Sequence, residues 1–205
     1  MSWKDFVLMD YPMVGGVTSN QSTSSLKTNF SRLSGSYDAS LDAWYLNGLA
    51  SLRNHTMDLS GNWIIQFDYY LNTTDYADWF NMFAFGTHNN DGGDGPTAAI
   101  SVENNRGCIN IYQFSGTYAS NNLYHQWHTF TVKGTQGAQT EFYLDGELKN
   151  RLNSLGTQSD FYMNGKGGGG EFSSYIRNFR FVIGANMFGI NKSLIFSNTK
   201  ILDQT

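Results

Sequence analysis

The segment Asn89-Asn-Asp-Gly-Gly-Asp-Gly95 places two carboxylates, Asp91 and Asp94, on a glycine-rich stretch. Carboxylate and carbonyl oxygens on a flexible loop are the ligands calcium takes, so calcium is the cofactor these residues suggest. The spacing is not that of an EF-hand, because the bidentate Glu that closes such a loop is missing. The same residues also read as a solvated turn chosen for positive φ. A second set combines flat rings with amides: Tyr76, Trp79, Tyr118 and Tyr124 are interleaved with Asn89, Asn90, Asn121 and Asn122. Sugars present apolar ring faces bordered by hydroxyls, and an aromatic platform with amide or carboxylate neighbours satisfies both. Trp79, Asn90, Tyr118, Asn121 and Tyr124 are therefore the candidate carbohydrate-binding residues, expected in surface loops. The competing reading makes them core or strand-edge residues, since Trp79 stands in a periodic run.

Catalytic signals are weaker. Glycoside hydrolysis needs two carboxyl groups roughly 5–9.5 Å apart. Glu103, Glu141, Glu147 and Glu171 have no acidic residue two positions on, where a strand would put it on the same face. His55, His88, His125 and His128 show no helical metal-pair spacing, and His125 and His128 read as sheet residues with local hydrogen bonds. The single cysteine, Cys108, sits in an apolar run and reads as a buried side chain. Gly167-Gly-Gly-Gly170 lacks the Lys-Ser/Thr and helix of a phosphate loop. No catalytic residue is assigned, and the chain is read as a non-enzyme.

The elements that must position these groups are strands. In residues 127–133, Trp127, Thr129 and Thr131 fall on one side and His128, Phe130 and Val132 on the other. That period of two marks a strand with one buried face. Residues 140–144 and 147–151 flank Asp145-Gly146, a dipeptide suited to a type I′ hairpin turn. In residues 63–71, Ile65, Phe67 and Tyr69 share one side, and Ile64, Gln66, Asp68 and Tyr70 share the other. Further strands are expected at 6–9, 30–33, 43–46, 76–85, 98–102, 108–114 and 175–183. Asn47-Gly48 is expected to turn a second hairpin. Residues 115–122 read as a loop, and within 156–174 the run Gly167–Gly170 must be flexible or sharply bent. No helical period persists, and one domain over residues 1–205 is expected.

Several of these stretches resemble the laminin-G-like domains of the concanavalin A-like lectin/glucanase superfamily. They are Trp127-His128 opening a strand, the hairpin Tyr143-Leu144-Asp145-Gly146, the strand Trp63-Ile-Ile-Gln-Phe-Asp-Tyr-Tyr70, and the closing Ser193-Leu-Ile-Phe-Ser-Asn-Thr-Lys-Ile-Leu202. The resemblance covers about residues 4–202. It implies an all-β, two-sheet antiparallel β-sandwich of the jelly-roll type, with the first strand beside 194–196 or 200–202. Many members hold calcium at one rim, which supports Asp91 and Asp94. Related glucanases carry a Glu-x-Asp-x-Glu strand that is missing here. Lyases of this fold use Arg, His, Gln and Tyr sets, and the spacing of Gln66, His128 and Tyr143 does not ask for one.

Composition fits this picture. Aromatic residues make up 16% and charged residues 15% of the 205, as in a packed β-protein. The net charge of −4 without a basic run gives nucleic-acid binding no electrostatic support. No stretch is apolar and long enough for a membrane span, and the N-terminus lacks the pattern of a secretory signal. Synthesis in a cytoplasm and release as a virion protein would reconcile those features with a lectin-like fold. The expected function is a non-enzymatic carbohydrate-binding or adhesive module on a virion or cell surface, with a glycan or surface polysaccharide as partner. The alternative is a structural virion component, a phage head decoration or tail protein that packs against other virion proteins or against its own copies through segments 1–11 and 195–205.

Overall fold

The computed structural model describes residues 6–47, 52–54, 57–59, 61–72, 80–85, 98–103, 108–112, 117–119, 123–135, 138–152, 161–165 and 173–184. They form two antiparallel sheets packed as a β-sandwich. The larger sheet runs β13 (Glu147–Leu152), β12 (Thr140–Leu144), β11 (Trp127–Thr135), β6 (Asn62–Leu71), β15 (Ser173–Ile183), β4 (Ala43–Asn47) and β3 (Ser36–Asp38), and β1 (Val7–Tyr11) also pairs with β15. The smaller runs β10 (Thr117–Ala119), β9 (Cys108–Tyr112), β8 (Ala98–Glu103), β7 (Phe80–Phe85), β14 (Phe161–Gly165), β5 (Leu52–Asn54) and β2 (Arg32–Leu33). No helix is long and apolar enough to cross a membrane among the described residues.

Alternation along the central strands builds the core. Ile65, Phe67 and Tyr69 of β6 and Phe130 and Val132 of β11 are buried in it, as the period of two demands. Phe67 meets Phe83 of the opposite sheet edge-on at 5.1 Å, and Phe161 meets Phe179 at 5.6 Å, so aromatic contacts tie the two layers together. Burying each such side chain contributes about 1.5–3 kcal/mol. The Asp145-Gly146 turn is the expected one, with φ of 51° and 80° at its two residues. It joins β12 to β13, and β12 spans the expected 140–144. Gly134, opposite Trp63 in the β11–β6 ladder, lets the indole lie on the backbone; a Cβ there would stand 2.2 Å from the ring.

Tertiary pairing overrides several local expectations. Asn47-Gly48 does not turn a hairpin: β4 lies in the larger sheet against β15 and β3, while β5 lies in the smaller against β14 and β2. The chain changes sheets there because Leu46 and Leu52 are both fully buried in the same core from opposite layers. The 156–174 stretch, for which only a bend at 167–170 is expected, also supplies a strand: β14 lies between β7 and β5 of the smaller sheet with Phe161, Tyr162 and Met163 fully buried. Tyr118 is in a strand, β10, opposite Ile109 of β9, and not in a loop. Among the described residues the neighbour of β1 is β15, at Phe179–Val182; residues 194–196 and 200–202 lie outside them.

Candidate functional site

The outward face of the larger sheet carries the residues that alternate with the core. Three cross-strand rows follow from the register. Trp127, Tyr70, Tyr175 and Tyr45 stand side by side on β11, β6, β15 and β4. Their rings follow one another at 5.5, 5.9 and 5.2 Å. The second row is Thr129, Asp68 and Arg177, and the third is Thr131, Gln66 and Arg180.

Two positively charged side chains share this face because β15 is irregular. Arg177 and Arg180 are an odd number of positions apart in sequence and would face opposite ways in a regular strand. A bulge between them, with Asn178 at φ 55°, resets the phase. Asn tolerates the left-handed region better than other L-residues that carry a Cβ. The bulge is pinned by the Asn178 N–H donating to the Pro12 carbonyl at 2.8 Å. Phe179 can then remain in the core while Arg177, Asn178 and Arg180 line one groove.

That groove, of about 440 Å³, is bounded by Trp127 and Val14 and floored by Gln66, Asp68 and Thr129, with Asp42 and Asp145 also lining it. Asp68 is its hub. Its Oδ1 accepts from the Thr129 hydroxyl at 2.8 Å, and its Oδ2 accepts from the Asn178 amide at 2.8 Å. Arg177 Nε lies 3.5 Å from the same Oδ2. The Arg177 guanidinium stacks 4.0 Å from the Trp127 ring centroid, a cation–π contact that divides the polar groove from the tyrosine row. Gln66 donates to the Thr131 hydroxyl at 2.9 Å, and Arg180 donates to Asp10 at 3.2 Å.

The hairpin turn adds Asp145, whose Oδ1 accepts from the Thr129 N–H at 2.9 Å and whose Oδ2 meets His128 Nδ1 at 2.7 Å. His128 therefore has the expected local hydrogen bond. On the other side the Tyr37 hydroxyl and the Gly15 N–H donate to one oxygen of Asp42, at 2.5 and 2.6 Å. The Tyr37 bond, with that of Gly15, holds the Asp42 carboxyl below the usual range, while the Asp42 bond pushes the Tyr37 phenol up. Burial, then the charge of Asp38, raises the Tyr175 phenol. Such a face can bracket a ring with an indole edge and meet hydroxyls with carboxylates, amides and guanidinium groups.

Most of the candidate residues named from sequence are not among the described ones. Trp79, Asn90, Asp91, Asp94 and Asn121 lie outside the described residues, and of Tyr118 only the strand is described. Tyr124 forms a bridge to Leu71 and packs against the core with its hydroxyl buried, so its polar tip does not face solvent as a loop platform would. Among the described residues no three His, Cys, Asp or Glu are grouped to hold a metal. Gln66 and Tyr143 fall in one row on either side of Thr131, whereas Asp145 holds the His128 ring. Sequence reasoning missed Asp68, Arg177, Asn178 and Arg180 as site residues. The signal was present for Asp68, which shares its outward side with Gln66 and Tyr70, but the bulge hid the phase of the arginines.

No protein-family model matches this chain, and no characterised protein matches it in sequence. Solved structures share its fold. It is similar to the binding domain of botulinum neurotoxin serotype D, with TM-score 0.58 and 11% identity over 87% of this chain and 48% of that one. It is also similar to a structure of botulinum neurotoxin type C, a toxin whose cell entry depends on interaction with two ganglioside molecules, with TM-score 0.55 and 10% identity over 87% of this chain and 48% of that one. A Trypanosoma rangeli sialidase follows at TM-score 0.54 and 15% identity, over 68% of this chain and 25% of that one. The chain thus spans half or less of each of these proteins, and the likeness is one of fold.

Proposed function

We propose that this chain is a non-enzymatic carbohydrate-binding module whose glycan lies in the groove on the outward face of the larger sheet. The observation that carries this reading is the juxtaposition of the Trp127 indole with the Asp68–Asn178–Thr129 cluster in one groove. A sugar ring has an apolar face for the indole and hydroxyls for the carboxylate and amide. The ganglioside-dependent toxin supports the reading by analogy, as a protein of this sandwich architecture that engages a glycolipid. We place the module in the lectin-like, laminin-G-like group and on a virion or cell surface, where host attachment is its role. Calcium at Asp91 and Asp94 belongs to the same proposal.

The test is a glycan-array screen of the purified chain, with calcium and again with a chelator, followed by titration of the best ligand. Trp127→Ala is expected to weaken binding about tenfold or more, a loss of roughly 1.4 kcal/mol. A variant that stays folded by circular dichroism and binds with unchanged affinity would remove the groove from the reading. Loss of binding in chelator would assign calcium to the module. A folded wild-type chain that binds no glycan would favour assembly into a virion over attachment.

A further inference from the structure

The charges of the groove limit which glycans it can take. Three carboxylates, Asp42, Asp68 and Asp145, line it against two guanidinium groups, Arg177 and Arg180. Both cations already have acidic neighbours: Arg177 stands beside Asp68, and Arg180 donates to Asp10. The face of the Arg177 guanidinium is further occupied by Trp127. Each guanidinium charge is therefore offset in part by a carboxylate already in place. Asp145 keeps 51% of its side chain exposed, and its oxygens accept from the Thr129 N–H and meet the His128 ring.

We infer that the groove selects uncharged glycans and disfavours anionic ones that carry sialic acid, uronic acid or sulfate. Sugar hydroxyls are donors, and ionised carboxylates are pure acceptors, so the acidic lining suits a neutral polyol. An anionic substituent meets a net negative surface at short range, a repulsion that salt weakens because Asp42 and Asp145 are exposed. This inference rests on the proposed function and narrows its ligand class.

Two of the carboxylates can be neutralised without disturbing the backbone. Asp42 and Asp145 have φ of 47° and 51°, a region Asn also tolerates. Each receives its backbone N–H bond on one oxygen, which an Asn carbonyl would still supply. The experiment measures affinity for a neutral oligosaccharide and for the same core capped with sialic acid or a uronate, by calorimetry. The pair is measured in wild type and in the Asp42→Asn, Asp145→Asn double variant.

Wild type is expected to bind the capped ligand about tenfold more weakly at low salt, with the gap closing near 1 M salt, where the screening length falls to about 3 Å. The double variant is expected to lose most of that gap, read as the ratio of its two affinities, so that any loss of hydroxyl contacts common to both ligands cancels. Equal or tighter binding of the capped ligand, lost on Trp127→Ala, would overturn the inference and leave the groove as a glycan site. A gap that persists unchanged in the double variant and at high salt would also overturn it, since its origin would then be steric. Binding of neither ligand would overturn the inference together with the reading it rests on.

Discussion

Replacing Gly134 with Ala tests whether the two strands that carry the groove are locked by a glycine–tryptophan contact. The new Cβ would lie 2.2 Å from Trp63 Cζ2, 2.3 Å from Cε2 and 2.7 Å from Nε1. Carbon atoms in contact sit about 3.5–4.0 Å apart, so the indole must retreat by more than 1 Å. Trp63 is 2% exposed and belongs to the core, so it has little room to do so. Overpacking of this kind costs about 1–3 kcal/mol, and the rigid partner places this case near the upper end. Each kcal/mol shifts the melting point of a chain this size by about 2–4 °C.

The assay is denaturant unfolding of four proteins: wild type, Gly134→Ala, Trp63→Val and the double variant. Trp63→Val alone should cost about 3 kcal/mol through lost burial and a residual cavity. If the clash is real, adding Ala to the Val background should cost almost nothing, giving a coupling energy close to the whole Gly134→Ala cost, about 3 kcal/mol. Additive effects, or a Gly134→Ala cost below about 0.5 kcal/mol, would refute the packing argument.

Two smaller perturbations probe other parts of the same sheet. Asn178→Ala should destabilise by about 1–2 kcal/mol, because Cβ strains the φ of 55° and the bond to Asp68 is lost, while Asn178→Gly should recover the strain component; thermal unfolding separates the two. Burial, and then a 2.6 Å hydrogen bond to Glu141, push the Tyr143 phenol up to about 12. A phenol raised in the folded state contributes stability that is whole below its unfolded value of about 10 and is lost as pH rises through about 12. Phenolate absorbance should therefore show a late step that Tyr143→Phe removes, and unfolding free energy should fall across the same window in wild type more than in the variant.

The inward and outward sides of β6 and β11 were legible in the sequence, because side-chain direction there follows strict alternation. Ile65, Phe67 and Tyr69 are inside and Gln66, Asp68 and Tyr70 outside, as the pattern alone requires. The Asp145-Gly146 turn was legible for the same local reason, since few dipeptides accept two positive φ angles. The same kind of signal misled at Asn47-Gly48, where burial of Leu46 and Leu52 from opposite layers outweighed turn chemistry. It also missed β14, whose buried Phe161, Tyr162 and Met163 do not alternate with polar residues.

By itself, then, the sequence determined an all-β chain, the faces of its regular strands and one hairpin, all of them consequences of contacts within a few residues. Only the tertiary structure decided which strands became neighbours, and with that the site. Asp68 and Asn178 are 110 residues apart and meet because β6 and β15 pair, and the bulge turns Arg177 and Arg180 to the same side. No spacing rule encodes such a meeting. It depends on the register in which distant strands bury their apolar faces together, and a shift of one residue would send every one of these side chains to the other face.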